Sequence, residues 1–121
     1  QPYGYDLMAS DVLALMDFLK LPKADIVGWS DGGIIGLDIA MNHPDRIGKL
    51  FAFGANSNLA GLKDGFDKNP NFAAFIERAG KEYAQLSPTP GEYDAFLEQI
   101  GGMWSFIMGV VTKKASDFMT N

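Results

Sequence analysis

The chain has 121 residues, 47% of them hydrophobic and 12% aromatic, which is material for one globular domain with an apolar core. Fifteen acidic residues against ten lysines and arginines leave a net charge of −5, which argues against nucleic acid or an anionic membrane as a partner. No cysteine is present, so disulfides and thiolate metal sites are excluded, and no apolar stretch approaches the ~20 residues of a membrane span. A cytoplasmic setting fits.

Gln1 to Tyr5 reads as a polar, aromatic loop and Asp6 as the N-cap of a first helix. Met8, Val12, Leu15, Met16 and Leu19 recur along it at helical spacing. Pro22 is expected to stop this helix, and Leu21-Pro22-Lys23 turns into a short, β-branched strand, Ala24 to Val27, expected to be a buried parallel strand. A second helix, largely buried, runs from Ile34 to about Asn42, where Asn42-His43-Pro44 ends it. Lys49 to Gly54 reads as a second strand. Strand, helix and strand within about 30 residues predict a right-handed βαβ unit with parallel strands.

Composition changes after Gly54. Asn56-Ser57-Asn58 and then residues 61–71, rich in Gly, Asp, Asn and Lys, predict a long exposed loop. Phe72, Phe75, Ile76, Ala79, Tyr83 and Leu86 line one face of a further helix, which Ser87 to Gly91 breaks. Thr89-Pro90-Gly91-Glu92 matches a capping box with proline at the first helical position, and Tyr93, Phe96, Leu97, Ile100 and Trp104 form the stripe that follows. The fold class is α/β. Two parts are expected: residues 1–58 with the strands, and residues 59–121, a helical segment.

The junction of the first strand and second helix carries the chemistry. Ile26-Val27-Gly28-Trp29-Ser30-Asp31-Gly32-Gly33-Ile34 contains Gly28-x-Ser30-x-Gly32, the pattern of a nucleophile elbow, in which a sharp strand-to-helix turn holds a serine at its apex. Gly28 and Gly32 are expected to be required because a Cβ at either would collide where strand and helix approach, and Gly33 extends the motif. Ser30 is the candidate nucleophile, and the backbone N–H of Asp31, at a helix N-terminus, a candidate oxyanion donor. The plainer alternative is that Ser30 caps the helix. Asp31 has two readings as well: an acid favoured by the helix dipole, or a carboxylate that binds a cationic group of the substrate. Trp29 either lines the pocket or packs.

Serine needs a base. His43 is the only histidine, and it lies at the opposite end of the same helix, on the order of 20 Å from Ser30. It is therefore not the base. No metal site and no cofactor are expected.

Val27-Gly28-Trp29-Ser30-Asp31-Gly32-Gly33, followed by Asn42-His43-Pro44-Asp45-Arg46 and Phe53-Gly54-Ala55-Asn56, resembles the α/β-hydrolase superfamily, and within it the valacyclovirase (biphenyl hydrolase-like) branch. The resemblance extends upstream through Tyr5-Asp6-Leu7-Met8 and downstream to Met103-Trp104. It implies a partial α/β-hydrolase fold, with Ser30 as nucleophile, the Asp31 amide as half of an oxyanion hole, and the Asp31 side chain as the partner of a substrate amino group. The helices from Phe72 to about Trp104 would begin a cap over the site. The family's acid and histidine lie on late strands that have no counterpart here, so this chain alone is expected to be inactive.

Gln1 rather than methionine at the start is consistent with a fragment or processed product. Ser105 to Asn121, with Lys113-Lys114, departs from the usual continuation, as a truncation or frameshift would produce. The function implied is hydrolysis of small esters or amides. The alternatives are another chemistry on the same fold, haloperoxidase-like or C–C bond hydrolysis, or a non-catalytic remnant or interaction domain. Self-association of the isolated chain is expected from unpaired strand edges.

Overall fold

The computed structural model describes residues 3–56, 61, 63–65 and 68–104. The expectations for Ser57, Asn58, parts of the following loop and Ser105 to Asn121 fall outside the described residues.

Helix α1 spans Tyr5–Phe18 and starts one residue before the expected cap. Gly4, in extended conformation, occupies the N-cap position, and Asp6 lies in the first turn, where a carboxylate favours the positive helix end. The start is set by burial rather than capping: Tyr5 is 1% exposed and belongs to the core. Tyr5, Ala9 and Met16 form the buried face, with Val12 and Leu13 half-buried beside them. Leu15 and Leu19, assigned to that face from spacing, are instead exposed.

The end of α1 is also reached differently from expectation. Lys20 has φ +57°, its N–H donates to Asp17 O at 3.0 Å, and Leu21 N–H donates to Met16 O at 2.8 Å. This bonding pattern is a Schellman motif, which satisfies the last carbonyls two residues before Pro22. Arg46 then clamps the turn, donating to Asp17 Oδ1 at 2.6 Å and to Pro22 O at 3.0 Å.

Strands β1 (Ala24–Trp29) and β2 (Ile47–Phe53) pair in parallel, Ile26 opposite Leu50 and Trp29 opposite Phe53. The register slips between Ala24 and Ile26, leaving an extra residue on β2. Asp25 Oδ1 accepts the Lys49 N–H at 2.8 Å there, replacing a ladder bond. Between the strands runs α2 (Asp31–Asn42), and a 3-10 turn, Pro44–Arg46, leads into β2.

Helix α2 covers one face of the sheet, and α1 packs against α2. Ile39 is fully buried, with Ala9 and Ile47 around it and Ile26 and Leu50 packed alongside. On the opposite face Val27, Trp29, Phe51 and Phe53 are between 61% and 83% exposed, so β1 is covered on one face only and is not buried as expected.

Helix α3 (Pro70–Leu86) begins at an Asn-Pro start: Asn69 Oδ1 accepts the Asn71 N–H at 2.9 Å and Pro70 takes the first position. Its apolar face is real but shallow: among the described residues it meets the next helix and the rim of the sheet. No α3 residue is fully buried. The expected capping box does not form. The Thr89 N–H donates to Ser87 Oγ at 3.1 Å and the Glu92 N–H to Thr89 O at 3.0 Å, so residues 89–92 close a turn. Helix α4 follows over residues 93–104. Tyr93 and Phe96 stack near Tyr83 of α3, and the Tyr93 hydroxyl donates to Ile76 O at 2.9 Å. The last described turns of α4 are the anchor: Ile100 and Met103 are buried against Tyr5 and Ile34.

Candidate functional site

The strand-to-helix junction is built as the motif requires. Ser30 follows β1 directly and its N–H donates to Phe53 O at 2.9 Å, extending the parallel ladder by one bond. Its backbone then turns to φ +53°, ψ −123°, a region that non-glycine residues rarely adopt. Its carbonyl accepts the N–H groups of Gly33 and Ile34 at 2.9 and 3.2 Å, which starts α2. The Ser30 side chain makes no capping hydrogen bond, so the plain reading of Ser30 as a helix cap does not hold. The Asp31 N–H stands at the first position of α2, where backbone donors have no partner within the helix.

The glycines divide differently from expectation. A Cβ on Gly28 would run into the Gly32 carbonyl and stand 2.6 Å from Gly33 N, all backbone atoms. One on Gly33 would meet Ala55 Cβ at 2.6 Å. At Gly32, by contrast, nothing lies within 4 Å. Close approach therefore requires Gly28 and Gly33, and the steric role assigned to Gly32 is withdrawn, because that position turns outward from the contact.

Ser30 and Asp31 open onto a cleft of about 900 Å³ between the end of the sheet and the α3–α4 hairpin. Trp29, Phe72, Phe75 and Trp104 line it, together with the charged residues Lys63, Asp64 and Arg78. Trp29 is 61% exposed and meets Phe75 edge to face at 5.8 Å, so it both lines the cleft and packs. The Arg78 guanidinium lies 5.8 Å from the Phe75 ring centre.

The Asp31 side chain has partners that neither spacing nor motif indicated. The Tyr5 hydroxyl donates to Oδ1 at 2.7 Å, and Trp104 Nε1 reaches Oδ1 and Oδ2 at 3.1 and 3.0 Å. Three helices, α1, α2 and α4, thus meet on one carboxylate. Burial, and after it the bond to Asp31, push the Tyr5 phenol well above its ordinary value, so it remains a donor. His43 caps the far end of α2. Twelve helical residues at ~1.5 Å each place it about 18 Å from the elbow.

No protein-family model matches the sequence. Curated relatives do. The chain is 55% identical over 49 residues, 40% of its length, to RutD of Caulobacter segnis, a protein named for carbamate hydrolysis. It is 45% identical over 49 residues to the human serine hydrolase BPHL. A longer alignment, 99 residues at 32% identity and 82% of this chain, is to the rhodomycin D methylesterase DnrP of Streptomyces peucetius. The chain is related to the α/β-hydrolase superfamily. That relationship includes the biphenyl hydrolase-like branch, and all three relatives named above are hydrolases. The alignments span 18%, 17% and 30% of those relatives, so the relationship covers under a third of each. Among the described residues no helix is long and apolar enough to cross a membrane.

Proposed function

We propose that this chain carries the nucleophile half of a serine hydrolase that acts on small esters or amides. The observation that carries the reading is Ser30 itself. It holds a strained backbone conformation at a strand-to-helix junction, with a hydroxyl that makes no cap bond and opens onto a cleft. Strain of this kind persists where the surroundings over-determine it, and here the ladder bond from Phe53 and the Gly28–Gly33 approach do so.

In the reaction Ser30 Oγ attacks the substrate carbonyl as a base removes its proton, and the Asp31 N–H takes the developing oxyanion. His43 stands too far away to be that base, so the base and its orienting acid come from outside these 121 residues. Trp29 and Phe75 form an apolar wall for the acyl or alcohol part, and the Asp31 carboxylate binds a cationic group of the substrate. The α3–α4 hairpin serves as the start of a cap, so that residues 1–58 are core and 59–121 cap. A small-molecule substrate completes the reading; the net charge of −5 is in keeping with no nucleic-acid partner, and the lack of cysteines fits a cytoplasmic setting.

Hydrolysis of p-nitrophenyl acetate tests this reading. The 121-residue chain should run near background, while a longer product of the same gene that supplies a base should turn over and lose activity by about 10⁴-fold or more in Ser30→Ala. Turnover by the longer product that survives Ser30→Ala refutes the nucleophile assignment.

A further inference from the structure

Asp31 is held by the protein from two sides. The Tyr5 hydroxyl of α1 donates to Oδ1 at 2.7 Å, and Trp104 Nε1 of α4 reaches Oδ1 and Oδ2 at 3.1 and 3.0 Å. The carboxylate belongs to the first turn of α2, one residue after Ser30. Hydrogen bonds to an ionised acceptor are directional and roughly twice as strong as those between neutral groups. Ile100 and Met103, packed on Tyr5 and Ile34, hold α4 down without choosing its orientation, because apolar burial is non-directional. The indole bond does choose it.

Helix α3, the other arm of the hairpin, is attached more loosely. None of its residues is fully buried. It meets the sheet at Phe75, which lies edge to face on Trp29 at 5.8 Å, and these two rings are 38% and 61% exposed. The cleft at Ser30 thus has walls of two kinds: Phe72, Phe75 and Arg78 from α3, and Trp104 from α4.

We infer that Asp31 tethers the hairpin to the nucleophile turn through Trp104, with Tyr5 holding the carboxylate in place, so that the α4 wall of the cleft is fixed and the α3 wall moves. The tether uses donors of this chain and needs no substrate cation at Asp31. Its consequence for catalysis is a cleft that adjusts to the substrate at Phe72 and Phe75, and that consequence rests on Ser30 as the nucleophile.

The chain has no cysteine, so spin labels can be placed by cysteine substitution alone. Ala14→Cys paired with Gln99→Cys spans α1 to α4, and Ala14→Cys paired with Ala74→Cys spans α1 to α3, all at exposed helical positions. Double electron–electron resonance, on labelled chain diluted into unlabelled chain, reads the width of each distance distribution. The α1–α3 distribution should be about twofold broader than the α1–α4 distribution in the otherwise wild-type chain. Trp104→Phe keeps an aromatic ring, removes the donor, and should broaden α1–α4 toward the α1–α3 width. Asp31→Asn removes the charge and one acceptor oxygen and should broaden it in the same direction. Combined with Trp104→Phe it should add little, since both changes act on one bond.

Equal widths in the wild-type chain, or an α1–α4 width unmoved by Trp104→Phe, overturn the inference. If Trp104→Phe does not fold, Phe75→Ala decides. It should broaden α1–α3 and leave α1–α4 as it was, and broadening of both would mean that the hairpin has no fixed side. None of these readings involves turnover. A failure of the Ser30 assignment would leave these widths unchanged, and a failure of the tether would leave the Ser30→Ala test unchanged.

Discussion

Gly28 and Gly32 stand four residues apart in the same motif, and the structure assigns them opposite responses to a methyl group. In Gly28→Ala the new Cβ would sit 2.5 Å from Gly32 C and 2.6 Å from Gly33 N, where carbon contacts settle at about 3.5–4.0 Å. These are backbone atoms of the first turn of α2, so no side chain can swing aside. Relief requires shifting the start of the helix by roughly 1 Å, which unseats Gly33 from Ala52 and Ala55. Overpacking of this kind costs about 1–3 kcal/mol. Gly32 lies in the same turn, has no heavy atom within 4 Å of the added Cβ, and does not have a positive φ. Gly32→Ala should therefore be neutral or gain up to ~1 kcal/mol from helix propensity. The pair should differ by about 1–4 kcal/mol. Urea unfolding followed by helical circular dichroism would show this as midpoints separated by about 0.5–2 M, taking a slope near 2 kcal/mol per M. Equal midpoints, or a larger loss at Gly32, would refute the geometry on which the elbow rests.

The elbow should also show its strain directly. Ser30→Gly removes a side chain from φ +53°, ψ −123° and should stabilise the chain by about 1 kcal/mol while removing the nucleophile; a stability loss in the same urea titration would count against strain at this position. Tyr5 predicts an alkaline limit. Its phenol is raised in the folded chain above the ordinary value of 10.0, so the stability it brings is complete below about pH 10 and declines as pH rises beyond it. Tyr5→Phe should lose about 1 kcal/mol at pH 7 and show a shallower decline above pH 10, and parallel pH profiles for the two proteins would contradict this. The sheet face of Val27, Trp29, Phe51 and Phe53 should drive the isolated chain to self-associate, and Phe51→Lys should shift size-exclusion elution toward monomer. A wild-type chain that elutes as a monomer at all concentrations would refute that.

Local signals in the sequence sufficed for much of this protein. The β-branched run before Gly28, the apolar helix after Gly33 and the strand beyond Arg46 predict a parallel βαβ unit, because each is written in periods of two and 3.6 residues that need no distant partner. The serine and its flanking glycines are legible for the same reason: a sharp turn restricts residue types over five positions. The exclusion of His43 as base follows from helix rise alone.

Tertiary contacts decided the rest. Tyr5 reads as a loop residue until Ile34 and Met103 enclose it, and its burial moves the start of α1 ahead of Asp6. Leu15 and Leu19 fit the helical stripe, but the partner surface ends before it reaches them. Gly32 looks equivalent to Gly33 in the motif, yet only the packing of α2 on β2 shows which of the two faces the sheet. Asp31 is the clearest case. Its partners lie 26 residues before it and 73 after, a separation that no local pattern records. Periodicity specifies which face of an element is apolar, whereas the hydrogen bonds of a half-buried carboxylate are fixed only when α1, α2 and α4 have packed together.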